Sequence, residues 1–219
     1  MTAQTFLFAD LAGYTALTEA MGDESAADVA AEFCDHVRAL LTEHRAEEIK
    51  VIGDAILLRV PEAASAARLA QRIVDDYGAR HRALGVAVGM HTGTAVQRGA
   101  DWFGSAVNVA SRVADVAGAG EVLLTEATRA AAGEAVSTRP RGRHAFKHVG
   151  EPVELFELVV AKRALPLDPV CRMVVDPELA PEHTVYRGVE YHFCSHACAR
   201  AFAADPRRYS TGSPAARQA

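Results

Sequence analysis

Residues 84–90 form an unbroken apolar run of strand length, which places a central strand near the middle of the chain. Residues 5–9 read as a buried strand that ends at Asp10. Between them, residues 25–45 keep a helical period through Val29, Phe33, Val37, Leu40 and Leu41. Residues 49–52 and 55–60 flank Gly53-Asp54, a residue pair that suits a tight hairpin turn. Pro61 opens a helix predicted to run to about His81. Residues 94–98 are expected to return beside the central strand. Residues 104–117 read as a helix ending at Gly118, and residues 121–124 as a strand followed by a helix from Thr125. Residues 136–160 read as strands that close the sheet. Strands and helices alternate, but hairpins are present. The expected class is therefore α+β, with helices packed on a mixed, mainly antiparallel sheet rather than a doubly wound parallel one.

A chain of 219 residues, half of them hydrophobic, has room for one full domain and something small. No 18-residue apolar run and no basic-then-apolar leader pattern is present, so the expectation is a soluble cytoplasmic protein without a membrane partner. The net charge of −5 argues against nucleic-acid binding, which needs a basic face. It leaves a nucleotide open, because metal ions bridge acidic side chains to phosphates.

Asp10 ends the first strand and Asp54 sits in the hairpin turn. A hairpin beside that strand brings both carboxylates to one sheet edge. Two close carboxylates repel unless a cation lies between them, and hard oxygen ligands suit Mg²⁺ or Mn²⁺. Two such ions activate an attacking hydroxyl and neutralise developing phosphate charge. Backbone amides near Gly13, at a helix start, suit phosphate oxygens. A turn or cap role is the ordinary alternative for either aspartate alone. Asn108 and Arg112 lie four apart on a helix and share a face.

Four segments, in order, carry a resemblance. They are Phe8-Ala9-Asp10-Leu11-Ala12-Gly13-Tyr14-Thr15, Lys50-Val51-Ile52-Gly53-Asp54, Gly89-Met90-His91-Thr92-Gly93, and the run from Asp101-Trp102-Phe103-Gly104 to Asn108 and Arg112. Over residues 5–160 the chain resembles a class III adenylate/guanylate cyclase catalytic domain. The resemblance implies a ferredoxin-like cyclase fold and a head-to-tail homodimer. It implies that Asp10 and Asp54 bind two Mg²⁺ or Mn²⁺ ions per active site. Lys50 and Asp101 would read the purine, Asn108 would orient the ribose, and Arg112 would stabilise the transition state. Lys147 resembles a triphosphate-binding lysine. One subunit would supply the aspartates and the other the remaining residues. Adenine presents an acceptor at N1 and a donor amine at C6, which fits a donor lysine and an acceptor aspartate. Guanine reverses both and leaves a buried charge mispaired. Guanylate cyclases of the family resemble the opposite pattern, an acid followed by a small residue. The expected reaction is conversion of ATP to 3′,5′-cyclic AMP and pyrophosphate. The general base stays open among phosphate oxygen, water and a carboxylate. The alternatives are a guanylate cyclase, or a non-catalytic nucleotide-binding dimerisation scaffold for a metal-sensing tail.

Cys34 stands alone and reads as helix core, and His91, at a buried strand end, as structural. Cys171, Cys194 and Cys198 cluster late, among His183, His192 and His196, which reads as metal or redox chemistry. Asp168-Pro169-Val170-Cys171, Tyr191-His192-Phe193-Cys194-Ser195, Cys198 and the run from Phe202 to Tyr209 resemble a YHS domain, related to TRASH-type metal modules. Arg172 stands where that family usually has glycine. The expected organisation is a cyclase domain at 1–163, a linker at 164–169, a small Cys/His-rich α+β module at 170–209 and a disordered tail at 210–219. Ser195 is expected to cap a helix to about Ala204 and place Cys194 where the helix dipole favours thiolate. The three cysteines would hold Zn²⁺ or Cu⁺, with His192 or His196 as fourth ligand; the alternative is that they are small buried residues in a mini-core with Tyr191, Phe193 and Phe202. The tail would then regulate the cyclase through metal or redox state.

Overall fold

The structure, a computed structural model, describes residues 2–80, 84–159, 166–171, 173, 175, 177 and 180–210. The chain divides into two compact units, Met1–Ala161 and Lys162–Ala219. In the first unit the order is β1 (Gln4–Ala12), α1 (Tyr14–Met21), α2 (Asp23–Leu41), β2 (Glu47–Ile52), β3 (Ala55–Val60) and α3 (Ala63–Arg80). Next come β4 (Gly85–Gly93), β5 (Val96–Arg98), β6 (Asp101–Phe103), α4 (Ser105–Ala114), β7 (Val122–Thr125) and α5 (Glu126–Ala132). A short 3₁₀ turn (Gly133–Ala135), β8 (Thr138–His144) and β9 (Val153–Leu158) complete it.

Seven strands form one sheet in the order β2-β3-β1-β4-β7-β9-β8. Only β4 and β7 run parallel; the other neighbours are antiparallel. The class is α+β, with helices on a mixed, mainly antiparallel sheet. Side chains alternate across each strand. On β1, Leu7, Ala9 and Leu11 join Phe33 and Val37 of α2 and Ile73 and Tyr77 of α3 on one face. Phe6 and Phe8 join Ala106, Val107 and Ala110 of α4 on the other. Continuing that period by two assigns Asp10 to the α4 face. Cys34 is 4 % exposed in the α2 core, as a small apolar residue would be.

Residues 94–98 do not return beside β4. β4 continues to Gly93, and Val96–Arg98 instead pairs with Asp101–Phe103 in a separate two-stranded ribbon. The end of the α3 segment near His81 lies outside the described residues.

In the second unit, β10 (Glu182–Tyr186) and β11 (Val189–Phe193) form a hairpin, followed by α6 (His196–Ala204) and α7 (Pro206–Ser210). Tyr191, Phe193 and Phe202 make its core. Residues 166–169, read from the sequence as linker, take part in this unit: Asp168 N–H donates to Met173 C=O at 2.8 Å and Val175 N–H to Pro166 C=O at 2.9 Å. Ser210 closes α7 rather than opening a tail; residues 211–219, the linker residues 164 and 165, and Arg172 lie outside the described residues.

Candidate active site

Asp10 and Asp54 meet because two pairings force them together. β1 and β3 are antiparallel with Ala9 opposite Ile56, so the next step sets Asp10 across from Ala55, adjacent to Asp54. The β2–β3 loop has only Gly53 and Asp54 between the paired Ile52 and Ala55. Gly53 takes φ 63°, the left-handed value that a two-residue hairpin asks of its first loop residue. Burial pushes the Asp10 carboxyl up to about 6, and its hydrogen bond to Asp54 and the charge of Asp54 add to the rise. Two carboxylates held this way fit a bound cation, which would relieve both effects. Gly13, at φ 89°, turns the chain from β1 into α1, whose first turn has no side-chain cap.

Lys50 and Asp101 come from different hairpins, β2–β3 and β5–β6. Lys50 Nζ donates to Asp101 Oδ2 at 2.8 Å. The other carboxylate oxygen accepts the Trp102 N–H at 2.8 Å, which fixes the aspartate's orientation. The lysine hydrogen bond, then the backbone one, hold Asp101 below its usual range, so it stays ionised. Trp102 packs against Phe6 at 5.7 Å between ring centroids and lies under the Arg59 guanidinium at 5.4 Å.

Helix α4 buries Ala106, Val107, Val109, Ala110 and Val113 and turns Asn108, Ser111 and Arg112 outward. Arg112 Nη1 donates to Asp115 Oδ2 at 2.8 Å. The outward stripe faces a cleft of about 290 Å³, lined by Asn108, Ser111, Arg112, Lys147, His148 and Val149. Lys147 thus joins Asn108 and Arg112 although it lies in the distant β8–β9 connection. Ser111 and His148 were not foreseen from the sequence. The signal for Ser111 was available, since it lies three residues after Asn108 on one helix face. His91 is structural: its Nδ1 meets Thr125 Oγ1 at 2.8 Å, in a buried chain through Thr128, Thr92 and Thr5.

In the second unit, the ligand-capable atoms of Asp168, Cys171, Cys194 and Cys198 all lie within 4.8 Å of one another. Cys171 Sγ lies 3.4 Å from Cys194 Sγ, which lies 3.8 Å from Cys198 Sγ. Tetrahedral thiolates at about 2.3 Å from zinc stand about 3.8 Å apart, so the trio fits such an ion. The fourth member is Asp168, not a histidine. His196 Nδ1 sits 2.9 Å from Glu182 Oε1, and His192 Nε2 lies 3.9 Å from Glu190 Oε2. Asp168 is fully buried and accepts the N–H groups of Val170 (2.8 Å), Cys171 (3.2 Å) and Cys194 (2.9 Å). It therefore ties the two cysteine loops together. Burial pushes its carboxyl up, but those backbone donors outweigh it and hold the group below the carboxylate range. Ser195 does cap α6, accepting Cys198 N–H at 3.2 Å. In the metal-free protein, hydrogen bonding to Cys171 and then Asp168 pushes the Cys194 thiol up to about 12, against the helix dipole, whereas a bound cation would favour the thiolate.

This fold, with paired carboxylates at a hairpin turn and a polar helix stripe over the same sheet, defines a nucleotidyl cyclase domain. The profile of the adenylate and guanylate cyclase catalytic domain matches residues 2–158, and the chain belongs to that family. A YHS domain matches residues 167–213. A pH-sensitive adenylate cyclase of Mycobacterium tuberculosis is 38 % identical over 131 residues, covering 60 % of this chain and 33 % of that protein. The chain spans about a third or less of the length of the curated relatives it matches. Among solved structures, the adenylyl cyclase CyaB of P. aeruginosa superposes with TM-score 0.65 at 21 % identity, over 75 % of this chain and 97 % of that one. The guanylyl cyclase Cya2 gives TM-score 0.62 at 20 % identity, over 71 % and 91 %. Both base specificities therefore occur on this fold. No helix among the described residues is long and apolar enough to cross a membrane.

Proposed function

We propose that the chain is an adenylate cyclase that converts ATP to 3′,5′-cyclic AMP and pyrophosphate in a head-to-tail homodimer. The Lys50–Asp101 pair at 2.8 Å carries the reading. Lys50 has further N–H groups and Asp101 further lone pairs, so both serve adenine without separating. Lys50 donates to N1, and Asp101 accepts from the C6 amine. Asn108 orients the ribose, and Arg112 offsets the charge that develops on phosphate. Lys147 holds the triphosphate. The ribose 3′-oxygen bonds to the α-phosphorus, its proton passes to a base (a phosphate oxygen, water or a carboxylate), and the bond to the pyrophosphate oxygen breaks. Asp10 and Asp54 hold the divalent cations, Mg²⁺ or Mn²⁺, which when bound supply Lewis-acid charge at the attacking and phosphate oxygens. Exposed Ile52 and Phe103, at the two hairpins that carry the site, support a partner chain over this face.

Incubating the purified protein with ATP or GTP and Mn²⁺ tests the reading. Cyclic AMP is the expected main product; cyclic GMP as the main product overturns the base assignment. A sharper test is the double change Lys50→Glu with Asp101→Ser. It removes the adenine pattern and is expected to cut kcat/KM for ATP by about 10²-fold or more, inverting the ATP-to-GTP ratio. An unchanged ratio would show that these residues do not read the base.

The second unit is read as a metal-holding tail that regulates the cyclase. Cys171, Cys194 and Cys198 hold Zn²⁺ or Cu⁺, and Asp168 fixes their loops. Elemental analysis of the full chain is expected to find about one such ion per protein, and Cys194→Ser to lose nearly all of it. Metal retained by Cys194→Ser contradicts the site. Cyclase activity that ignores both this substitution and added Zn²⁺ or Cu⁺ contradicts the regulation.

A further inference from the structure

The β8–β9 connection contains a strained residue. His148 takes φ 65°, in the left-handed region, although it carries a full side chain. Val149 N–H donates to Phe146 C=O at 3.2 Å, which closes a four-residue turn with His148 in third place. Positive φ at that place is the demand of a type II turn, and glycine is its ordinary solution. The ends of the turn are pinned. Phe146 and Val149 pack against Val109 and Val113 of α4 and against Leu123 and Leu155 of the sheet. The two middle residues, Lys147 and His148, are exposed and line the cleft with Asn108, Ser111 and Arg112. Among the described residues the His148 imidazole has no hydrogen-bond or ring partner. No contact of its own side chain therefore repays its backbone strain, and such strain collects at functional positions.

We propose that His148, with Ser111, is a further substrate-contacting residue of this site. The two bind the pyrophosphate end of the triphosphate, beside Lys147 and Arg112. The inference rests on the cyclase reading and deepens it. As the bond from the α-phosphorus breaks, negative charge gathers on the departing pyrophosphate. An imidazole N–H and a serine hydroxyl each donate to its oxygens, beside the cationic side chains of Lys147 and Arg112. The packing that strains the turn is the same packing that directs His148 to the cleft. Ser111, three residues from Asn108 on the outward stripe of α4, supplies the facing hydroxyl.

The test uses the full-length protein with His148→Gly and His148→Asn. Glycine relieves the strain and removes the donor; asparagine tolerates the backbone and keeps a donor amide. Magnesium pyrophosphate is titrated calorimetrically and assayed as an inhibitor of cyclic AMP formation. His148→Gly is expected to bind pyrophosphate about 5- to 10-fold more weakly and to raise KM for ATP, with a melting temperature equal to or above wild type. His148→Asn is expected to retain more affinity than His148→Gly. Wild-type pyrophosphate affinity in His148→Gly overturns the proposal, and so does a weakening that comes with a lower melting temperature. If the wild type forms no cyclic nucleotide from ATP or GTP, the cyclase reading fails and this role in the reaction fails with it. A wild type that turns over normally beside an equally tight His148→Gly variant refutes the His148 proposal alone.

Discussion

Asp10→Asn is expected to reduce cyclic-nucleotide formation by at least about 10³-fold and, at the same time, to raise the melting temperature of the metal-free protein at pH 7.5. The loss follows from removing one of two carboxylates that hold the cations. The gain follows from proton linkage. The Asp10 carboxyl moves from its ordinary 3.8 to about 6 on folding, because of burial first and Asp54 second. Well below pH 3.8 it is protonated in both states and costs nothing. As pH rises from about 4 to about 6, the unfolded chain ionises while the folded chain resists, so folding becomes less favourable. Above that window the penalty is complete. Asparagine carries no charge and avoids it. Asp10 is only half-buried, so the gain is set at roughly 1 kcal/mol, or about 2–4 °C for a domain of this size. Melting curves in chelator at pH 7.5 and pH 4 check the sign: the difference is expected to shrink markedly at the lower pH. Added Mn²⁺ is expected to raise the wild type and leave Asp10→Asn unmoved. A variant less stable than wild type at pH 7.5 contradicts the linkage.

Gly89→Ala is expected to be the most damaging single methyl in the first unit. Helix α4 crosses β4 directly over Gly89. A Cβ there would lie 2.1 Å from Ala114 N and 2.5 Å from Ala114 Cα, which are backbone atoms with no rotamer to yield. The helix has to lift, and it packs by Ala106, Ala110 and Val113 on the same face. The expected cost is on the order of 3 kcal/mol, a fall in melting temperature of about 10 °C. Because α4 carries Asn108 and Arg112, turnover per folded molecule should fall as well. Thermal denaturation and activity at 20 °C check both parts. Near-wild-type stability would mean that the helix does not sit this close to the strand.

The fold was largely legible because its central strands are apolar runs and its helices keep their period. Asp10 could be placed because it continues the alternation of Phe6 and Phe8, and Asp54 because Gly53-Asp54 is a turn pair. Asn108 and Arg112 declared their shared face by spacing. Other features depend on contacts made far along the chain. Residues 94–98 have strand character, but only the folded chain pairs them with residues 101–103 rather than with β4. Asp168 looked like part of a linker between prolines; its burial arises from loops that close on it from Cys171 and Cys194. His148 gave no signal, because its strain exists only once Phe146 and Val149 have docked on α4. The rise of the Cys194 thiol in the metal-free protein was not legible because a helix terminus is visible in sequence and the approach of Cys171 and Asp168 is not.

The central claim is a cyclase whose aspartates serve the partner's Lys50, Asp101, Asn108 and Arg112. Mixing two inactive variants tests it most directly. Asp10→Asn and Arg112→Ala are purified separately, each is shown to lack activity, and the two are combined under conditions that exchange subunits. Half of the dimers are then mixed, and each mixed dimer has one intact site, so about a quarter of wild-type cyclic AMP formation is expected. A mixture that forms dimers and stays as inactive as its components would contradict the shared site.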